Sequence, residues 1–551
     1  MIITMLGGLA LFIYGMNLMS DGLQKSAGER MKNILALLTR NPVLGVLAGA
    51  LCTAVLQSSS ATTVMVIGFV SAGLMSLRQA ISIILGANIG TTITAQLIAF
   101  SIGDYAWAFV AVGFVMYFFL KKKEFLSYLG QTIFAFGVLF VGINIMGGAM
   151  KPLAGSPVFI DLMTQVHDIP VLGVLLGTLM TVVVQSSSAT IAVLQNLAST
   201  AGPDGVTSII GLTGALPILF GDNIGTTITA VLASIGGSLA AKRTAAAHVV
   251  FNITGTFIFI WFIPYYAKFI QFISPDGAEI DVISRQIANA HSCFNIFNTI
   301  LFIPIIGILV KVVTKIVPGK ELERMPSDPI FLDHNVLDRP FAAIHLATKE
   351  IIRLAEMTFT MIRDAQKAFV GGDREAADKV KQAEENVNVL QEHIVNYLAG
   401  MFTADTITEE QSAKVSGLLH IAADIEHIGD HCKNISEFAD EKIKNSYDFS
   451  EEAYGEICGC FDLAKKMAAK SIEAMEECSH EIAGDVRIME KEMNRTESEL
   501  RLHHMKRISD GKCSPEFTVI YTDVVHNIEK IGDYCNNIAE AVEDNVVEKS
   551  E

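Results

Sequence analysis

Two copies of the hexapeptide QSSSAT interrupt strongly apolar sequence, at residues 57–62 and 185–190. Polar groups at membrane depth persist only inside protein or beside a water-filled cavity. The serines stand where a second helix must begin after each interruption. Serine is a favoured N-cap, and the free N–H groups of a helix N-terminus attract anions. The copies are therefore predicted to bind one small tetrahedral oxyanion through Gln57, Ser58, Ser59, Ser60, Gln185, Ser186, Ser187 and Ser188.

A second duplicated motif, NIGTT, occupies residues 88–92 and 223–227. No lysine or arginine lies in 41–77, 79–120 or 169–241, so co-bound cations are expected to balance the anion. Side-chain oxygens suit sodium, and Gly90 and Gly225 predict helix breaks that would add backbone carbonyls as ligands. An intramembrane acid at 222, where the other copy has Ala87, is predicted to hold a cation or carry a proton. The predicted cation ligands are Asn88, Thr91, Thr92, Asp222, Asn223, Thr226 and Thr227.

The two motifs belong to longer repeats. LGVLAGALCTAVLQSSSAT (44–62) matches LGVLLGTLMTVVVQSSSAT (172–190), and GANIGTTITA (86–95) matches GDNIGTTITA (221–230). Serine, threonine and glycine also pack membrane helices closely, but duplication favours a site over packing alone. A shorter pair, AHxxFN at 247–252 and 290–295, is predicted to form hydrogen bonds between helices rather than to contact substrate.

Apolar stretches predict the membrane topology. Seven stretches are near the roughly 20 residues that a spanning helix needs, and the two shorter ones that end in QSSSAT predict re-entrant hairpins. The number of crossings between equivalent points is odd, so the repeats are predicted to be inverted. Basic residues then fall on one face, which predicts a multi-pass inner-membrane protein with a cytoplasmic C-terminal half. The spans are about 2–24, 80–100, 105–120, 125–147, 207–235, 245–263 and 288–313; the basic residues are Lys25, Arg30, Lys32, Arg40, Arg78, Lys121, Lys122, Lys123, Lys242, Arg243, Lys311, Lys315 and Lys320.

The C-terminal half has a different composition. Residues 1–320 carry a net charge of +5 and the remainder a net charge of −22, which argues against nucleic acid as a partner. Scattered cysteines without a CxxC pair suit a reducing compartment. After a proline-containing linker, two sets of three amphipathic helices are predicted. IEHIGDHCKNISE (425–437) and IEKIGDYCNNIAE (528–540) repeat one spacing of oxygen-bearing side chains, which predicts a divalent or iron-type metal on Glu426, Asp430, Asn434, Glu529, Asp533 and Asn537. The alternative is a solvated charged face.

These residues resemble two families. QSSSATT, NIGTT and their second copies are similar to the type II sodium–phosphate cotransporters over about residues 1–315. The resemblance implies phosphate between the two QSSS tips and sodium nearby, with Thr62, Thr63 and Thr190 as further sodium candidates. Asp222 departs from the small neutral residue expected in that family, which leaves the ion stoichiometry open. Residues 339–545 resemble PhoU-type domains, paired three-helix bundles with ExxxDxxxN motifs, which implies phosphate regulation with bound metal.

The prediction is an all-α protein: a polytopic membrane part with inverted repeats and two re-entrant QSSS hairpins, and a cytoplasmic pair of three-helix bundles. Its predicted parts are 1–127, 128–263, 264–315, a linker at 316–338, and 339–545. The predicted function is sodium-coupled phosphate transport with a regulatory domain, in contact with membrane lipid. The sequence leaves oligomeric state open and admits a homo-oligomer. The alternatives are a transporter or exporter of another oxyanion, and a metal-dependent, membrane-anchored phosphate sensor. No nucleophile–base pair or phosphate-binding loop predicts an enzyme.

Overall fold

The computed structural model describes residues 2–27, 41–100, 105–121, 123–150, 168–202, 204–319, 325–337, 339–402 and 407–547, with six single positions between 152 and 166. The described chain is helical, as predicted, and forms two compact units that divide near residue 321. Five of the basic residues used to predict the orientation lie outside the described residues: Arg30, Lys32, Arg40, Lys122 and Lys320.

The first unit contains the apolar helices. Its α-helices are α1 (Ile2–Ala27), α2 (Pro42–Leu56), α3 (Ser59–Ser71), α4 (Leu77–Ile98), α5 (Ala106–Phe119), α6 (Glu124–Met150), α7 (Pro170–Val184), α8 (Ser187–Ala198), α9 (Gly211–Gly225), α10 (Thr227–Ala233), α11 (Leu239–Phe259), α12 (Ile263–Ile273), α13 (Glu279–Phe302) and α14 (Ile306–Ile316). Large apolar side chains such as Trp107, Val183 and Phe272 are exposed on this unit, which suits contact with lipid.

Six described segments are long and apolar enough to cross a membrane, where the sequence predicted seven. They are Ile2–Leu23, Leu77–Ile98, Phe125–Met150, Gly211–Ala233, Leu239–Ile273 and Glu279–Ile316. The predicted span at 105–120 is helical only over Ala106–Phe119, which is about 21 Å long, less than the roughly 30 Å of hydrocarbon. The last two segments are longer than predicted, and a 3₁₀ turn with a proline at or just after it interrupts each, at Pro264 and Pro304.

Glycines set the directions in which the helices pack. A methyl group on Gly49 of α2 would lie 2.1 Å from the Ile83 carbonyl oxygen, and one on Gly90 of α4 would lie 2.5 Å from the Ala50 carbonyl oxygen. The residue further along α2 meets the residue further along α4, so the two helices run parallel. Helices α7 and α9 repeat the arrangement at Gly177 and Gly221. Because α2 and α4 run parallel, the chain between them must turn back, and α3 is the helix that runs back. Helix α8 does the same between α7 and α9.

Helices α1 and α6 begin the two repeats: Gly15, Asn17 and Met19 of α1 recur in α6 as Gly142, Asn144 and Met146. The two helices run in opposite directions. Gly8 of α1 contacts Gly142 of α6, whereas Gly22, further along α1, contacts Thr132, earlier in α6. Small residues at such crossings let two backbones approach closely.

We expect Gly49→Ala to destabilise the membrane unit, because the added methyl group overlaps backbone that cannot move independently. The cost expected for overpacking is about 1–3 kcal/mol. The measurement is the temperature at which detergent-purified protein loses its monodisperse peak. Gly7→Ala is the control, since a methyl group there meets no atom within 4 Å. Equal melting temperatures for the two variants would contradict this packing.

The second unit consists of long amphipathic helices. They are α15 (Pro340–Gly371), α16 (Arg374–Met401), α17 (Glu409–Asn445), α18 (Glu451–Glu477), α19 (His480–Ser509) and α20 (Thr518–Glu543). Part of the predicted linker packs onto them: fully buried Glu350 accepts hydrogen bonds from the backbone N–H groups of Ile330 and Phe331, and the Tyr397 hydroxyl donates to the Asp333 carbonyl. Residues 325–337 therefore belong with this unit.

Candidate functional site

Each QSSS segment is a break between two helices. Gln57 and Gln185 end α2 and α7 in the left-handed conformation, with φ angles of 51° and 54°. Ser58 and Ser186 then cap α3 and α8, their hydroxyls accepting from the backbone N–H groups of Ala61 and Ala189. The structure thus places the serines at helix N-termini, where the sequence predicted them.

The serines after each cap retain unused donors. The first N–H groups of a helix have no partner within the helix, and one cap hydroxyl satisfies only one of them. The backbone N–H groups and hydroxyls of Ser59, Ser60, Ser187 and Ser188 make no hydrogen bond to the described residues. Eight donors on two helix ends are available to a ligand, and four donors lie at each tip.

Threonine pairs clamp the two helices of each tip together. Thr53 donates to Thr62 at 2.8 Å in the first copy, and Thr181 lies 3.1 Å from Thr190 in the second. Thr181 also reaches Asp222, which is fully buried, with 2.7 Å between its hydroxyl and Oδ1. The second copy therefore holds a carboxylate that the first copy lacks. In the first copy, Thr63 follows Thr62 and is also buried, and its hydroxyl has no partner among the described residues.

The predicted helix break at Gly90 is wrong. Helix α4 runs through it without interruption, and the missing side chain instead admits α2. Helix α9 does end at Gly225, but Thr226 keeps helical angles and α10 starts at the next residue. The threonine hydroxyls of both motifs donate to nearby carbonyls of their own chain segments: Thr91 to Ala87, Thr92 to Ile89, Thr226 to Asp222 and Thr227 to Ile224.

The AHxxFN motifs connect the NIGTT helices, as the sequence predicted. Asn88 lies 3.3 Å from His248 Nε2, and Asn295 donates to Asn223 at 3.1 Å. One helical turn after each motif, the Thr256 hydroxyl donates to the Phe220 carbonyl and the Thr299 hydroxyl donates to the Leu85 carbonyl. Phe220 and Leu85 are equivalent positions of the two repeats. Helices α11 and α13 therefore make duplicated contacts, which extends the repeat beyond the segments matched in sequence.

Unpartnered polar atoms in the membrane unit are mostly acceptors. Some of its buried side-chain atoms have no hydrogen-bond partner among the described residues. Those that can only donate or only accept a hydrogen bond are all acceptors. These are Gln195 Oε1, Asp222 Oδ2, Asn252 Oδ1, Asn295 Oδ1 and Asn298 Oδ1; the others are Thr63 Oγ1, His248 Nδ1 and His291 Nδ1. Acceptors without donors are complemented by cations or water.

Sequence reasoning missed three threonines of this region. Thr53 and Thr181 occupy the same position of the first repeated segment, so the duplication itself could have identified them. Thr94 donates to Gln57 Oε1 at 2.9 Å. Its distance of 37 residues from Gln57 gives no local signal of this contact.

In the second unit, the first acidic stripe forms a compact ligand group. Ligand atoms of Glu426, His427 and Asp430 lie within 4.8 Å of one another. Asn434 instead donates to Asn527 on α20 at 3.2 Å. An α-helix rises about 1.5 Å per residue, so Asn434 lies about 12 Å along the axis from Glu426, whereas His427 is the next residue. His427 thus joins Glu426 and Asp430 in a group that the sequence analysis assigned to Asn434.

The second stripe carries its own cation. Lys530, at the position equivalent to His427, donates to Asp533 at 2.6 Å and lies 3.4 Å from Glu529. Asn537 points towards Asp424 of α17, at 3.5 Å. Burial and the neighbouring Asp430 raise the pKa of Glu426, and burial and Asp533 raise that of Glu529. The two stripes therefore differ in charge, although their motifs are nearly identical.

Two family models match this chain. The model of the Na+/Pi-cotransporter family matches residues 11–148 and 145–273, and that of the PhoU domain matches 351–439 and 457–542. The uncharacterized protein YqeW of Bacillus subtilis is 37% identical over 268 residues, which are 49% of this chain and 84% of that protein.

Two further relatives have informative names. The putative inorganic phosphate export protein YjbB of Salmonella typhimurium is 26% identical over 84% of this chain and 82% of its own length. The sodium-dependent phosphate transport protein 2B of Homo sapiens is 40% identical over 108 residues, 19% of this chain and 15% of that protein. With six segments among the described residues that are long and apolar enough to cross a membrane, this multi-pass membrane chain belongs to the Na+/Pi-cotransporter family and carries a PhoU domain in its C-terminal half.

Proposed function

We propose that this chain transports inorganic phosphate coupled to sodium, with the anion held between the two QSSS tips. The proposal rests mainly on eight unused hydrogen-bond donors, the hydroxyls and backbone N–H groups of Ser59, Ser60, Ser187 and Ser188. The sequence around both sets of serines contains no lysine or arginine. A tetrahedral oxyanion has acceptors in every direction and so suits donors that come from two helix ends. Gln57, Ser58, Gln185 and Ser186 complete the proposed site.

Buried acceptors of the membrane unit support sodium as the coupled ion. An anion without basic partners in a membrane needs positive charge from elsewhere, and buried unpartnered oxygens are ligands for a hard cation. The relative from Homo sapiens is named for sodium-dependent phosphate transport. The proposed sodium ligands are those predicted from the sequence, with Thr181 joining Thr190 and Asp222.

Opposite directions of α1 and α6 support an inverted arrangement of the two repeats. The two tips then approach the membrane centre from opposite sides, with the PhoU domain in the cytoplasm. Alternating access follows when one tip is opened and the other is closed. Sodium entering down its gradient contributes about 2.3 kcal/mol per charge for each 100 mV of membrane potential.

Equilibrium binding tests the site without transport. Purified full-length protein is incubated with radiolabelled phosphate in sodium chloride or in choline chloride. We expect saturable binding only with sodium, and stronger competition by unlabelled phosphate than by sulfate. Phosphate binding that is equal in choline would contradict coupling at this site, and preferred sulfate would assign another oxyanion.

The direction of transport has a second candidate, because YjbB is named as an exporter. Proteoliposomes loaded with phosphate distinguish the two directions. Efflux that accelerates when sodium is placed inside would support export by the same coupled site, whereas influx driven by external sodium would support uptake.

For the PhoU domain, we propose a regulatory role with one metal-loaded stripe. His427 adds an imidazole to two carboxylates, a ligand set that suits a first-row divalent ion, whereas Lys530 fills the equivalent place in the second stripe. The alternative is a metal-dependent phosphate sensor without transport. Flux in full-length protein separates the two, and flux that persists after removal of residues 339–551 would support regulation.

We expect Glu426→Gln with Asp430→Asn to weaken Mn²⁺ binding by more than about tenfold, since losing only an outer-shell partner of a ligand already costs about that much. Because the pKa of Glu426 is raised, this carboxyl keeps its proton to higher pH than an exposed glutamate. Affinity should therefore fall as pH decreases, starting above the usual range of a glutamate. Isothermal titration at several pH values is the measurement, with exposed Glu375→Gln as the control. Unchanged Mn²⁺ affinity in the double variant would contradict the site.

A further inference from the structure

The two QSSS tips have the same sequence but different surroundings. At the first tip, Gln57 is only 7% exposed, and its amide donates to the Ala54 carbonyl while Thr94 donates to its Oε1. At the second tip, Gln185 is exposed, and its side chain makes no hydrogen bond to the described residues. A glutamine at membrane depth does not face lipid, so the Gln185 side chain faces water, although Ser187 and Ser188 beside it are buried.

The residue that would hold Gln185 is present but bonded elsewhere. Thr229 is the equivalent of Thr94 in the second repeat, at the same place in GDNIGTTITA. Its hydroxyl donates to the Thr226 carbonyl of its own chain segment at 3.0 Å. Thr94 thus binds the glutamine of the first tip, whereas Thr229 makes no hydrogen bond to the glutamine of the second tip.

The end of α2 is covered as well. Ser20 of α1 donates to the Leu56 carbonyl at 2.5 Å, beside buried Gln57. The position equivalent to Ser20 in the second repeat is Gly147, which has no hydroxyl. Gln57 and the end of α2 are therefore held by contacts that the second tip lacks among the described residues.

We propose that Thr94–Gln57 and Thr229–Gln185 are two latches that close in alternation. In the present state the first latch is closed, and the free Gln185 amide can donate to an incoming anion. In the opposite-facing state Thr94 releases Gln57, and Thr229 turns from the Thr226 carbonyl to hold Gln185. Thr94 and Thr229 are positioning residues, since each acts through a glutamine. This proposal rests on the proposed transport function.

A single hydrogen bond between neutral groups has a suitable strength for such an exchange. Its net contribution corresponds to about a fivefold change in an equilibrium. A latch of this strength biases the two states without trapping either one. Because the donors and acceptors are the same in both copies, opening one latch and closing the other leaves the number of hydrogen bonds nearly unchanged.

Cysteine accessibility tests the exchange. Ser60→Cys and Ser188→Cys report on the first and second tips in full-length protein, labelled with a charged methanethiosulfonate and located by peptide mass spectrometry. We expect Thr94→Val to accelerate labelling at 60 about fivefold and to slow it at 188, the population shift for one lost hydrogen bond. Thr229→Val should do the opposite.

Three controls keep the result interpretable. Thr94→Ser keeps the hydroxyl and should label like the parent protein, and Thr314→Val removes a hydroxyl bonded within α14 and should change nothing. Thermal stability identifies a variant that fails to fold. If Thr229→Val does not move the two tips in the sense opposite to Thr94→Val, the alternating latch is refuted. Labelling needs no phosphate, so a protein without sodium-dependent flux would refute the proposed function and leave this result standing.

Discussion

Ser59→Ala combined with Ser187→Ala is expected to abolish phosphate flux while the protein still inserts into the membrane. Each change removes one hydroxyl from the first turn of a helix, one at each tip. Hydrogen bonds to a charged ligand contribute about 1.5–3 kcal/mol each, so losing two should lower flux by at least about a hundredfold. The caps Ser58 and Ser186 remain, so both helices should still start where they do now. Labelled phosphate uptake into proteoliposomes is the measurement.

The control for this double variant is Ser82→Ala with Ser234→Ala. Both control serines lie in the membrane unit, and their hydroxyls donate to carbonyls of their own chain segments. Flux in the control should stay near that of the parent protein. Wild-type flux in the tip variant, at equal membrane content, would remove the QSSS serines from the site.

Asp222→Asn is expected to raise the sodium concentration for half-maximal flux by at least about tenfold, which corresponds to about 1.4 kcal/mol. The carboxylate is fully buried, one oxygen accepts from Thr181, and the other has no described partner. Asparagine keeps the shape and removes the charge that would balance a bound cation. Asp204→Asn, in an exposed loop, is the control.

The pH dependence of the same variant separates two carriers of charge. If Asp222 binds sodium, the variant changes the sodium requirement, and external pH alters its flux as it alters that of the parent. If the residue instead carries a proton, the variant loses pH dependence while its sodium requirement is unchanged. The second outcome would contradict the assignment of Asp222 to sodium.

The sequence predicted the features that repeat and are local. The identical QSSS segments fixed where helices stop and restart, because a left-handed glutamine and a serine cap are decided within a few residues. Gly90 shows the limit of this reasoning. A glycine in a helix signals either a break or a close approach, and the helix that approaches, α2, lies about 40 residues earlier in the chain.

Differences between equal sequences could not be predicted. Thr94 and Thr229 have the same neighbours in sequence, yet one bonds to the tip and the other to its own chain segment. The choice is not decided by the residues next to each threonine in sequence, so no local pattern could have predicted it. His427 in place of Asn434 is a different case, since the axial distance of eight residues, about 12 Å, could have been calculated from the spacing.

Sodium-driven phosphate accumulation tests the central claim most directly. Purified full-length protein is reconstituted in liposomes, and labelled phosphate uptake is followed with an inward sodium gradient, with equal sodium on both sides, and with choline. We expect transient accumulation above equilibrium only under the inward gradient, and its loss in the Ser59→Ala, Ser187→Ala variant. Phosphate uptake of equal rate and extent in all three conditions would contradict sodium coupling.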